Sequence, residues 1–327
     1  MSQPPFLSGT PALKPWEGVK AIQPHLKAAA KIALNYKGQR TPALRAEVFD
    51  ILGALSPSVA VEADGIRYYV STRDLGLGRV VFAHGSYEQD IMGYTVDIAY
   101  RHARANRRVK DMTFIDIGAN IGTSSLPALL EFGAGRVIAF EPDLENFKLL
   151  RCNLIMNDVD HRARLYNVAL SYCSGDGLLE RAEDSWGDHR IRVRDDVPDG
   201  SFRESLRSTG TVRVARFDDV VRDEALDLAE VGLAWMDVQG HEGHVLAGAE
   251  SLLESDIPIA IEYWPYGLRR VDGLDLLHGL IARNFSRVVD VRASMVAGRL
   301  IDLPANSVPE LVGRYEHESY TDLLLIT

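Results

Sequence analysis

Residues 114–125 read FIDIGANIGTSS, an apolar run that stops at a carboxylate, Asp116, and turns through two glycines, Gly118 and Gly122. Short β-branched runs form strands, and the small polar residues after them open a helix. The stretch therefore reads as the first strand, turn and helix of an alternating α/β unit. The residues around it repeat the pattern. Strands are expected at 136–142, 163–170, 233–238, 258–264, 286–291 and 321–327, and helices at 124–132, 144–157, 242–254 and 273–284. The strands are continuous apolar runs, as expected where both sheet faces are covered. The reading is an α/β fold with a doubly wound, mostly parallel seven-stranded sheet. Upstream lie helices at 24–36, 41–55 and 88–106, a hairpin pair at 65–72 and 79–85, and a proline-rich arm over residues 1–22. The domain expectation is a helical and hairpin extension at 1–80 and a sheet domain at 81–327.

Composition narrows the function classes. Net charge is −10, from 36 basic and 46 acidic residues, so nucleic acid is not expected as a partner. The basic cluster at 101–110 closes a helix, where cations suit the dipole. The two cysteines, Cys152 and Cys173, read as reduced thiols. The N-terminus lacks a signal-peptide profile and no apolar stretch has membrane-spanning length, which points to the cytoplasm.

Open α/β sheets bind ligands beyond the carboxyl ends of their strands. The residues that end the strands are therefore the candidates. After Asp116 the turn runs Gly118-Ala119-Asn120-Ile121-Gly122. Its glycines are four apart, which is not the G-x-G-x-x-G of dinucleotide sites, and a carboxylate at the strand end repels phosphate. S-adenosylmethionine (SAM) suits the inversion: it has no phosphate, and carries an ammonium and a sulfonium. The second strand ends Phe140-Glu141-Pro142, placing a carboxylate for ribose hydroxyls one strand–helix–strand unit later. The third ends at Asn167, Val168 and Ala169, candidates to line an adenine. The fourth continues Asp237-Val-Gln239-Gly-His241-Glu242-Gly-His244, and the fifth ends at Glu262 beside Tyr263, Trp264 and Tyr266.

Together these residues resemble the FkbM-type SAM-dependent methyltransferases. The motifs are D-x-G-A-N-x-G, A-F-E-P and D-V-x-G-x-E, and the resemblance covers roughly residues 80 to 327. It implies the class I SAM methyltransferase (Rossmann-like) fold. It also implies SAM contacts at Asp116, Gly118, Asn120, Gly122, Glu141 and the Asn167 turn, with Gly85 and Glu88 approaching from the N-terminal side. The implied reaction is O-methylation of a sugar, glycolipid or natural-product hydroxyl. One departure matters: the family usually has glutamate where this chain has Gln239. The base is therefore expected to be His241 or His244, oriented by Asp237. The alternative is Mg²⁺ held by Asp237 and Glu262 with Gln239 or His241, binding a diol or catechol-like acceptor. A non-catalytic SAM-binding module is a further alternative. The polar segment 181–210 is expected to cover the acceptor pocket, and the helices before residue 60 to form a cap or a homodimer contact.

Overall fold

Apolar runs alternating with helical segments build a mixed sheet with helices on both faces. The computed structural model describes residues 41–63, 65–102, 109–193, 200–316 and 318–327. The helix expected at 24–36 and most of the basic cluster lie outside them.

Helix α1 (Pro42–Gly53) starts at a Thr41 cap, with proline in its first turn. Strands β1 (Ser58–Ala63) and β2 (Ile66–Ser71) form an antiparallel hairpin. Helices α2 (Leu77–His84) and α3 (Gln89–His102) lead into the sheet domain. There β3 (Thr113–Ile117), α4 (Ser125–Leu130), β4 (Arg136–Phe140), α5 (Leu144–Met156) and β5 (Ala163–Tyr166) follow in alternation. Four short strands, β6 (Ala169–Leu170), β7 (Gly175–Arg181), β8 (Arg190–Arg192) and β9 (Ser208–Ala215), make a second sheet. The chain returns through α6 (Phe217–Asp223), β10 (Val231–Met236), α7 (Glu242–Ala247), α8 (Glu250–Leu253) and β11 (Ile259–Tyr263). It closes with α9 (Pro265–Arg270), α10 (Leu274–Asn284), β12 (Arg287–Asp290), α11 (Val291–Ala297), β13 (Asp302–Pro304) and β14 (Thr321–Ile326).

The large sheet runs β5-β4-β3-β10-β11-β14-β12-β13. Its first five strands are parallel, and β14 runs antiparallel to both neighbours. The short edge strand β13 adds an eighth to the seven expected. This is the α/β, mostly parallel architecture expected from the sequence. Every residue of β3, β10 and β14 is buried, in keeping with their largely apolar sequences. Chain order reverses at β3, between β4 and β10, so the crevice opens over the ends of those strands.

Three local readings change. Residues 79–84 are helix, not strand, and Gly85 caps that helix. Asp74 accepts hydrogen bonds from the N–H groups of Gly76 and Gly78, fixing the helix start, and Leu77 and Val81 bury one face four residues apart. The partner of β2 is accordingly β1. The run 163–170 divides between two sheets at Asn167. Segment 181–210, where described, is mostly turn and loop, but it holds β8 and runs at its two ends into β7 and β9, which pair with each other. The hairpin does not pack apart from the sheet domain: Phe49, Ile66, Tyr68 and Val70 share one apolar cluster with Phe114, Leu126 and Leu150.

Candidate active site

A hollow of about 610 Å³ opens over the carboxyl ends of β3, β4, β10 and β11. That is the size of a nucleotide-scale ligand site. Gly118 and Asn120 form its floor on one side, and Glu141 and Pro142 stand beside them. Val168 and Ala169 give an apolar wall next to Glu141. Across the floor Glu88, Asp237 and Glu262 face in. Of the eight non-glycine residues with positive φ among those described, four (Glu88, Asn120, Arg203 and Gln239) line this hollow. Backbone strain of this kind collects where a site over-determines the chain.

Each carboxylate is held differently. Glu141 accepts the N–H of Asn120 on one oxygen at 2.9 Å and that of Asp143 on the other at 2.8 Å. A carboxylate oxygen has two lone pairs, so both oxygens can accept another donor. Burial pushes the Glu141 carboxyl up to about 8. Asp237 and Glu262 both accept from the Gln239 amide, at 2.8 and 3.1 Å. The low-dielectric surroundings raise Asp237 to about 6 and Glu262 well above its ordinary value. Glu88 accepts from Arg292 at 2.6 Å and from the Tyr320 hydroxyl at 3.3 Å.

Asp116 does not take its expected place. It is wholly buried beneath the turn, does not line the hollow, and accepts on Oδ2 from the Ser124 and Ser125 hydroxyls. Its other oxygen is buried without a partner among the described residues. Ala119 and Gly122 also lie inside the turn rather than on the hollow: the Ala119 N–H donates to Phe140 O, and the Gly122 N–H to Ala119 O. Asn167 ties two strand ends together, its amide donating to the carbonyls of Glu141 and Pro142.

The histidines are poor bases here. His244 stays off the hollow and donates from Nε2 to the Val271 carbonyl at 2.7 Å. His241 reaches the wall, but its Nε2 is engaged with Ser171 at 2.9 Å and burial drives its pKa down to about 3. A group that titrates so low holds a proton weakly at neutral pH. Ligand atoms of Asp237, Glu242 and Glu262 lie within 4.8 Å of one another, a spacing that could hold a metal ion. The Gln239 amide bridges the first and last of them.

Within segment 181–210, Trp186 lines the hollow and forms a strap over it, held in part by Asn146, which the sequence reading did not single out. The Trp186 carbonyl accepts from both Asn120 and Asn146, while the Trp186 N–H donates to Asp74. Asn146 sits in the first turn of α5, five residues beyond Glu141. Its position after the second strand was the available signal.

Residues 116–272 match the model of the methyltransferase FkbM domain. The matched segment is a little under half of the chain. Of the expected site residues, all but Gly85 and Glu88 fall inside the matched segment. The chain is 32% identical over 162 residues to 2-O-methyltransferase NoeI of Sinorhizobium fredii (strain NBRC 101917 / NGR234), covering 47% of this chain and 63% of that protein. It thus spans less than two thirds of that relative's length. It is 25% identical over 234 residues to methyltransferase sdnD of Sordaria araneosa, covering 64% of this chain and 83% of that one. Among solved structures, methyltransferase FkbM from Methylobacillus flagellatus KT is similar at 15% identity and a TM-score of 0.40, over 94% of this chain and 60% of that one. Among the described residues, no helix is long and apolar enough to cross a membrane.

The buried titratable groups set a pH dependence for the stability of the chain. Glu141 and Glu242 are pushed up to about 8 and Asp322 to about 7, in each case chiefly by burial. Unfolded carboxyls titrate near 4, so the folded chain binds more protons between those values. That stabilisation is full below the unfolded pKa and is lost as pH rises through the folded one. His189, held down at about 4, and His241, at about 3, act oppositely: their contribution is lost as pH falls from the ordinary histidine value. Above about pH 6.5 only the carboxyls operate, so the thermal midpoint is expected to fall between about pH 6.5 and 8.5. Differential scanning fluorimetry at constant ionic strength checks it; a flat or rising midpoint contradicts it.

Proposed function

We propose that this chain transfers a methyl group from SAM to a hydroxyl oxygen of a small molecule or sugar. One observation carries the reading. A single hollow at the switch point has Glu141 on one side, set for vicinal hydroxyls, and three carboxylates on the other, set for cationic and proton-bearing groups. Gly118 brings bare backbone between them. The relative 2-O-methyltransferase NoeI, named for transfer to oxygen, supports an oxygen acceptor.

When bound, SAM supplies a methyl carbon made electrophilic by its cationic sulfur. The residues present fit it. Glu141 has acceptor capacity left for the ribose hydroxyls, Val168 and Ala169 offer an apolar wall for the base, and Glu88 offers charge to the ammonium. Much of the rate enhancement comes from fixing the acceptor oxygen in line with the methyl. Asp237 takes the acceptor's proton: it faces the hollow, and its raised pKa keeps it basic at neutral pH while strengthening it as an acceptor. This moves the base away from His241 and His244. Gln239 occupies the gap between Asp237 and Glu262 in which Mg²⁺ was the alternative, so the reading proceeds without a metal.

Titration calorimetry with SAM and S-adenosylhomocysteine tests the cofactor. One-site binding is expected, and Glu141→Ala should weaken it by roughly 10- to 100-fold, the range for hydrogen bonds to a charged group. Absence of heat with either nucleoside, on folded protein, would end the proposal.

A further inference from the structure

Asp237 and Glu262 close adjacent parallel strands, next to the paired residues Met236 and Ile261. Glu242 is the third carboxylate of the cluster and is fully buried, accepting the N–H groups of Val238 and Gly240 on one oxygen. Its other oxygen, Oε2, is buried without a hydrogen-bond partner among the described residues. Three acidic groups packed this closely need a positive or donor group among them. The Gln239 amide is that group for two of them. A primary amide nitrogen carries two hydrogens, and here one goes to Asp237 and one to Glu262.

The backbone forces this placement. Gln239 has φ +55, a conformation a glutamine rarely adopts. The turn is held there by the buried Glu242, which grips the N–H on either side of Gln239. The side chain is thereby turned back over the strand ends. Its carbonyl oxygen is the wrong partner for two carboxylates, so the amide orientation is fixed by chemistry.

We propose that Gln239 is a positioning residue whose amide takes the place of a divalent cation, holding Asp237 and Glu262 as a pair that works without metal. The inference rests on the proposed reading only in taking those two carboxylates as the working pair. A carboxylate at position 239 would reverse the logic. It removes both donors and adds an acceptor, leaving four acidic groups with no donor between them and a set of oxygens suited to a hard cation.

The test uses Mn²⁺ alone, with no nucleoside, on the full chain. Q239E is expected to bind Mn²⁺ saturably, at least ten-fold more tightly than wild type. Electron paramagnetic resonance should report the loss of free Mn²⁺, and the thermal midpoint should rise in a way that EDTA reverses. The double variant D237N/Q239E should lose that binding. Q239N separates the amide's reach from backbone strain, because asparagine suits positive φ but is one methylene shorter. It should remain folded, bind S-adenosylhomocysteine within about three-fold of wild type, and lose at least ten-fold in methyl-transfer rate wherever wild type turns over. Should Q239N not fold, the Mn²⁺ comparison still decides. Equal Mn²⁺ binding by wild type and Q239E, or none by Q239E, overturns the inference, as does a wild-type rate for Q239N. Failure of the SAM reading shows separately, as absence of nucleoside heat in wild type.

Discussion

Asp237→Asn is expected to lower turnover by roughly 10²–10⁴-fold, the usual share of a positioned general base, while leaving the fold at least as stable. The substitution preserves shape. The Asn carbonyl oxygen can still accept from the Gln239 amide, which reaches Asp237 at 2.8 Å in the wild-type chain. It removes charge from a place where burial, and then the nearby Glu88 and Asp116, already disfavour the ionised form. The thermal midpoint should therefore hold or rise, and nucleoside affinity should change little. That combination separates a lost proton acceptor from a damaged structure. Turnover is followed as S-adenosylhomocysteine release with a hydroxylated acceptor, beside His241→Gln. If Asp237→Asn keeps near-normal turnover while His241→Gln loses it, the base is the histidine after all, despite its depressed pKa.

The sheet was readable because burial on both faces leaves no choice of residue. Thr113–Ile117, Val231–Met236 and Thr321–Ile326 are apolar almost throughout, and each is a strand. The second sheet was hidden for the opposite reason. β7 and β9 are exposed or half-buried over most of their length and carry glycine, serine and arginine, so their composition is that of a loop. Helix α2 was misread because Val80 and Val81 suggest a strand. The burial of Leu77 and Val81, four residues apart, with Val80 exposed, shows the helical face.

At the site, spacing found which strand ends meet but not which way side chains turn. Asp116 and Glu141 looked alike in sequence, yet one is sealed under two serines and the other faces the hollow. The serines were in the same quoted stretch. Hydroxyls eight and nine residues after a strand-end carboxylate, at the start of the following helix, are close enough to cap it. Gln239 stood out as a departure from the family's pattern, but its bridge needed Glu262, which lies on another strand.

Gly118→Ala should be the most damaging single change in the turn, costing about 4 kcal/mol or more and abolishing nucleoside binding with it. Two effects combine. The backbone at Gly118 has φ +90, which an alanine adopts only under strain. A Cβ there would also sit 1.8 Å from the Asp237 carbonyl oxygen. That oxygen belongs to the backbone of β10's end, fixed where the Asp237 N–H donates to Ile117 O at 2.9 Å, so no rotamer change relieves the clash. Either the turn lifts off the sheet or β3 and β10 part, and the hollow lies between them. Gly122→Ala provides the comparison. Its φ is +95, but its added Cβ meets only Leu150 Cδ1 at 3.0 Å, the movable end of a side chain. It should cost about 1–2 kcal/mol and leave measurable binding. Urea unfolding of the two variants decides the matter: equal losses would mean that backbone strain alone, and not the contact between turn and strand end, requires glycine at position 118.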